Sequence, residues 1–213
     1  MMASITHCWR KVRARLELAL LLGALLTGAG GWGLARAEMV VAEVPQLVVE
    51  RSEDAILLTA LVNFELPLAV EDALLKGVPV IFVAGADIYR ERWYWLDKKV
   101  SGVERHMRLV FHPLTRRWRL AVGTEPITNN GLGVVLNQTF DTLEDALSVI
   151  RRISGWRISD VAALETGSKH RVEFRFRLDV SQLPRPLQIG ALGQSEWSLS
   201  ASAIKPFLPE NFK

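Results

Sequence analysis

The sequence predicts an α+β fold: a mostly antiparallel β-sheet of about seven or eight strands with two short helices on one side or end, a β-sandwich being the alternative. Three observations carry this. Apolar and polar residues alternate over long stretches, most cleanly where Val172, Phe174, Phe176, Leu178 and Val180 interleave with Arg171, Glu173, Arg175, Arg177 and Asp179. The strand-like segments follow one another through short turns, which makes neighbours antiparallel. Only two segments combine helical spacing with start and stop signals.

In chain order, Leu47 to Val49 and Ile56 to Leu66 read as strands around a polar turn at Arg51 to Asp54. Pro67 to Lys76 reads as a short helix, with Pro in its first turn and Gly77 as its stop. Val78 to Tyr94 is a long β-forming run in which Gly85 marks a bulge or a close approach. Val103 to Phe111 alternates, Pro113 to Arg116 breaks it, and Trp118 to Val122 resumes. Glu125 to Gly133 is a loop and Val134 to Phe140 a further strand. The second helix opens at Asp141, whose pairing with Glu144 reads as a capping box, repeats Leu143, Ala146, Leu147 and Ile150, and stops at Gly155. Trp156 to Ser159 and Arg171 to Val180 return to strand; the region after Pro184 and Pro186 is irregular as far as Trp197, and the C-terminus frays.

The 213 residues suit one domain with an appendage. That appendage is residues 1–37, where Arg10, Lys11, Arg13 and Arg15 precede an apolar run from Leu18 to Leu26, and Ala35-Arg36-Ala37 supplies the small residues a signal peptidase accepts. A signal peptide cleaved after Ala37 is expected, with an uncleaved anchor from about Leu16 to Leu34 as the alternative. Both place residues 38–213 on the periplasmic side, in solution or held at the inner membrane. Without residues 1–37 the chain holds 21 basic and 22 acidic residues, so the net charge changes from +3 to −1. The alkaline isoelectric point of about 9.2 therefore belongs largely to the leader, and a nucleic-acid partner is not expected. The single cysteine, Cys8, also lies in the leader, so the mature chain lacks disulfides and thiolate chemistry.

Neither a nucleophile elbow, a phosphate loop nor a paired-histidine zinc helix is present, and no catalytic residue, metal or cofactor is assigned. His106 and His112 share a strand face but lie about 20 Å apart, so both read as solvated residues. His170 stands alone beside Lys169 and Arg171, and Glu71, Asp72, Glu144 and Asp145 read as helix-start acids. Charge is segregated: residues 38–87 carry two bases and nine acids, residues 88–119 nine bases and three acids. Within the basic stretch Arg90, Arg92, Lys98, Lys99, Arg105, Arg108, Arg116, Arg117 and Arg119 interleave with Trp93, Tyr94, Trp95 and Trp118, the mixture found at binding hot spots and at anionic lipid surfaces. Arg90, Arg92, Trp93, Trp95, Arg116, Arg117 and Arg119 are therefore the candidate partner-binding residues. The competing reading is an ordinary wet sheet face with paired arginines and core tryptophans.

Phe64-Glu65-Leu66-Pro67, Gly77-Val78-Pro79-Val80, Arg92-Trp93-Tyr94-Trp95-Leu96-Asp97, the run from Arg108 to Arg116 and the run from Ser181 to Gln188 resemble a proteobacterial family of exported proteins. That family is known as a domain of unknown function, its members sometimes called proline-rich signal peptide proteins. The resemblance spans residues 45–205, transfers no catalytic residue, and implies one partner class, a membrane sensor histidine kinase of the nitrogen-regulation type. The Thr124 to Val134 loop departs from the family's shorter hairpin.

These readings converge on a non-catalytic envelope module that binds a protein partner or an anionic lipid surface. An envelope hydrolase with a spatially assembled site and a lipid carrier with an apolar cavity are the alternatives.

Overall fold

The computed structural model describes residues 42–92, 96–126, 135–185, 187–188 and 197–210, all within the compact unit Met39–Lys213. The expected leader, its cleavage residues Ala35 and Ala37, and the alternative anchor lie outside the described residues.

Among the described residues the main elements follow in the order β1 (Glu43–Arg51), β2 (Ala55–Asn63), α1 (Leu68–Leu75), β3 (Val80–Arg90), β4 (Lys98–His112), β5 (Arg117–Gly123), β6 (Leu136–Phe140), α2 (Leu143–Arg151), β7 (Arg152–Asp160), a 3₁₀ turn (Val161–Ala163), β8 (His170–Asp179) and β9 (Ser200–Phe207). All pairings are antiparallel. One sheet has the order β1-β2-β7 and the other β6-β5-β4-β3-β8-β9, so β3 to β6 form the expected meander. The two sheets share a single apolar core, as the sandwich alternative would have it, while α1 and α2 make the fold α+β.

Inward residues Ile56, Leu58, Ala60 and Val62 of β2 meet Phe82, Ala84, Ala86 and Ile88 of β3 and Val172, Phe174 and Phe176 of β8 in that core. Phe64, Phe82 and Phe176 form an aromatic cluster, with centroids 5.3 to 5.9 Å apart. Both helices close the core at this end. Helix α1 buries Val70, Ala73 and Leu74, and α2 buries Ala146, Leu147 and Ile150. Arg151 of α2 ties that helix to the end of β2: its guanidinium donates to the Phe64 carbonyl at 3.0 Å and lies 5.2 Å from the Phe64 ring centroid.

Five expectations are corrected. The strand count among the described residues is nine, because Ser200–Phe207 pairs along β8 instead of fraying. Its inward residues, Ala201 and Ala203, are too small to register as a core stripe, so β8 defines the strand. Gly85 is neither bulge nor tight approach: its register with Glu104 and Arg175 is unbroken, and the irregularity in β3 falls between Ile88 and Tyr89. The N-cap of α2 is Thr142, whose hydroxyl accepts from the Asp145 amide at 3.1 Å, one residue later than the Asp141–Glu144 reading. Gly155 does not stop α2, which ends at Arg151; with φ +56° it sits inside β7, where the register to β2 shifts between Leu58 and Ala60. His106 is buried, 5% exposed, not solvated. It occupies the outer face of the six-stranded sheet beside Val83 and Gly123, at the sheet's centre. The Thr124 to Val134 loop is described only as far as Pro126; its remainder lies outside the described residues.

Candidate functional site

At the end opposite the helices, strands β3, β4 and β8 open onto a cleft of about 180 Å³, lined by Arg90, Lys98, Lys99, Val100, Ala163, Glu165 and His170. Each wall follows from local sequence. The register Arg90 with Lys98 and Arg90 with His170 aligns the ends of three strands, and the 3₁₀ turn brings Ala163 and Glu165 over them. Arg90 pairs with Glu165.

A lattice of charges occupies the outer face of the same strand ends. Asp87 is 4% exposed on the outer face, with Lys99 Nζ 2.7 Å from one carboxylate oxygen and Arg175 on the other. Gly102 makes this possible: a Cβ there would stand 2.5 Å from Asp87 Oδ1 and 2.5 Å from Lys99 Cε. Further out, Arg171 pairs with Asp97 and, at 3.0 Å, with Glu173, and its guanidinium stands 5.2 Å from the Tyr89 ring centroid. The Arg92 amide donates to Asp97 at 3.2 Å. The hydrogen bond to Asp87 raises the Lys99 pKa, that to Asp97 raises the Arg171 pKa, and Arg171 in turn lowers the Asp97 pKa.

His170 differs from its neighbours. It is fully buried, and burial lowers its pKa, so the ring is neutral near pH 7. Its Nδ1 lies 2.9 Å from the Ser168 carbonyl, which only accepts; Nδ1 therefore carries the proton and Nε2 presents a bare lone pair. That buried Nε2 has no hydrogen-bond partner among the described residues. The ring stacks against Phe207 with centroids 5.7 Å apart.

The structure divides the sequence-derived patch. Arg90 lines the cleft and Arg92 lies beside it, whereas Arg116 and Arg117 lie at the turn between β4 and β5. Because Arg90 pairs with Lys98 and His112 pairs with Arg117, nearly all of the 15-residue β4 separates the two groups, about 45 Å at strand rise. Arg116 takes a left-handed φ of 52° in the turn, Arg117 stands 3.3 Å from Asp141, and Arg119 lies on the outer face beside Thr139. Trp93, Tyr94 and Trp95 lie outside the described residues, and Trp118 is a core residue. Lys98, like Arg90 a member of the basic stretch, and Glu165 and His170 complete the site. Glu165 and His170 escape a local reading because the cleft joins segments about 70 residues apart in sequence. Among the described residues no group of three or more His, Cys, Asp or Glu side chains is arranged to hold a metal, and no helix is long and apolar enough to cross a membrane.

The cleft, the paired lattice on the same strand ends and the β-rich frame all fall within residues 41–205, which match the family model described as Domain of unknown function (DUF4390). The chain belongs to that family. No curated relative and no solved structure matches it. Within this DUF4390 domain the cleft brings three cations and a neutral histidine together with one carboxylate, a composition suited to holding an anionic oxygen group.

Proposed function

We propose that the chain is an exported, non-catalytic envelope module that recognises an anionic group on a protein partner at the open-end cleft. Export follows from the basic-then-apolar leader and the Ala35-Arg36-Ala37 cleavage pattern, with the mature domain in the periplasm. A membrane sensor kinase is the partner class that the family resemblance suggests. The observation that carries the reading is the cleft lining, which holds Arg90, Lys98 and Lys99 but one acid, Glu165, paired with Arg90, while Lys99 pairs with Asp87. An incoming carboxylate or phosphate can take the place of Glu165 on Arg90, whose planar guanidinium suits bidentate contact.

The test is co-purification from envelope extracts using wild type, Arg90→Ala/Lys98→Ala and, as a control at the far end, Arg117→Ala. Partner recovery is expected to fall at least tenfold in the double variant, to weaken with salt, and to survive in the control. Equal recovery in all three would overturn the reading. Sequencing of the mature N-terminus is expected to begin at Glu38.

A further inference from the structure

Among the described residues the sheets have four outer strands, and three of them carry features that discourage pairing with another chain. Strand β1 has Pro45 and a register shift between Glu43 and Gln46; β7 has two register shifts and Gly155; β9 has Lys205 and Pro206. Strand β6, Leu-Asn-Gln-Thr-Phe, has neither charge, proline nor bulge. Its first four residues are exposed, Leu136 at 66%. Every second residue of such an edge turns its N–H and C=O away from β5.

We propose that β6 is a self-association edge, on which a second copy of this chain pairs antiparallel about a two-fold axis through Gln138, joining two six-stranded sheets into one of twelve strands. Strand geometry selects the register. Two outward-facing residues must meet in each hydrogen-bonded pair, so partners share parity, and full overlap of residues 136–140 requires Leu136 opposite Phe140, Asn137 opposite Thr139, and Gln138 opposite itself. That register is self-complementary. The exposed Leu136 side chain gains an aromatic neighbour, Asn137 gains a hydroxyl, the two Gln138 amides face each other, and no charges of like sign meet. A different protein strand would satisfy the backbone equally well, but nothing in β6 selects its side chains. The edge is only five residues long, and the interface falls below the area of standard stable complexes, so the dimer is weak and concentration-dependent.

The test uses the full chain with Cys8→Ser and one new cysteine, under mild oxidation. Gln138→Cys is expected to give a disulfide-linked dimer, because a directly opposed pair lies about 4.5 to 5.5 Å apart at Cα. Ser52→Cys, exposed in the β1–β2 turn, serves as the control and is expected to give at least tenfold less dimer. Adding Asn137→Lys with Thr139→Lys opposes lysines across the axis and is expected to cut the Gln138→Cys dimer at least tenfold. Asn137→Lys with Thr139→Glu opposes Lys to Glu twice and is expected to restore it. Equal cross-linking at positions 138 and 52, or equal yields from the two charge variants, would overturn the proposal. Both substituted residues are exposed, so circular dichroism is expected to remain unchanged in all variants.

Discussion

The two ends of the domain are sealed by different physics. At the helix end, α1, α2 and the Phe64, Phe82 and Phe176 cluster close the core with apolar mass. At the open end no helix is found among the described residues, and the strand ends carry ion pairs instead: Arg90 with Glu165 at the cleft and, on the outer face, Lys99 and Arg175 with Asp87 and Arg171 with Asp97 and Glu173. Apolar closure is worth about 1.5 to 3 kcal/mol per large side chain, whereas an ion pair with an exposed member, such as Arg90 with Glu165, is worth little by itself. The helix end therefore holds the domain together, and the open end is free to exchange partners, because a ligand's charge can replace an internal one at small cost. A binding role fits the second end for the same reason that a stabilising role fits the first.

Substitutions at each end separate these roles. The largest effect is expected from Phe176→Ala, which empties the centre of the aromatic cluster and is predicted to cost about 3 to 5 kcal/mol by urea unfolding. An effect much below 2 kcal/mol would mean that the helix end is not the principal seal. Gly102→Ala at the other end drives a methyl group against the flexible ends of Asp87 and Lys99 and is predicted to cost about 1 kcal/mol. It is also expected to weaken partner recovery, which Phe176→Ala leaves intact under conditions where the domain stays folded. Thr142→Ala removes the α2 cap and is predicted to cost about 1 kcal/mol, read as a lower urea midpoint with an unchanged slope.

The smallest effect concerns pH. Burial lowers the His170 pKa in the folded state, with Arg90 acting in the same direction and the Ser168 carbonyl and Glu91 opposing. The unfolded chain titrates near the ordinary value of about 6.5 and binds the proton more readily than the folded one. Stability is therefore complete above pH 6.5 and declines as pH falls through that value toward the folded pKa. The urea midpoint of wild type is expected to drop between pH 7.5 and 5.5 by more than that of His170→Gln. Equal drops would assign the pH dependence to another group.

How much of this was legible in the sequence depended on whether a residue's partner was local. Helix α1 could be placed from Pro67 and Gly77 alone, and Gly77 does adopt the left-handed conformation, with φ +81°. The alternation at 171–179 located β8 because each inward side chain is large enough to mark its face. Strand β9 has no such mark and is defined by its neighbour. Gly155 was misread because it follows a helical stretch ending in Arg151 and Arg152, where a glycine ordinarily signals a stop; its work is a strand irregularity visible only against β2. At the site, the basic character of residues 88–119 was visible, but its division between two ends was set by the length of β4. His170 read as solitary because its neighbours Arg90, Lys98 and Lys99 are far away in sequence.

The place of β3 between β4 and β8 also fixes an order of events. Its pairing with β4 joins residues as few as eight apart, Arg90 to Lys98, whereas its pairing with β8 joins residues 80 to 98 apart, Arg90 to His170 and Ile81 to Asp179. One side of the most buried strand thus stays unsatisfied until almost the whole chain has emerged, and long-range closures of this kind are slow. Completion of the sheet is a late and collective step. That timing suits a chain proposed to cross a membrane before folding, since the half-made sheet cannot lock prematurely on the wrong side.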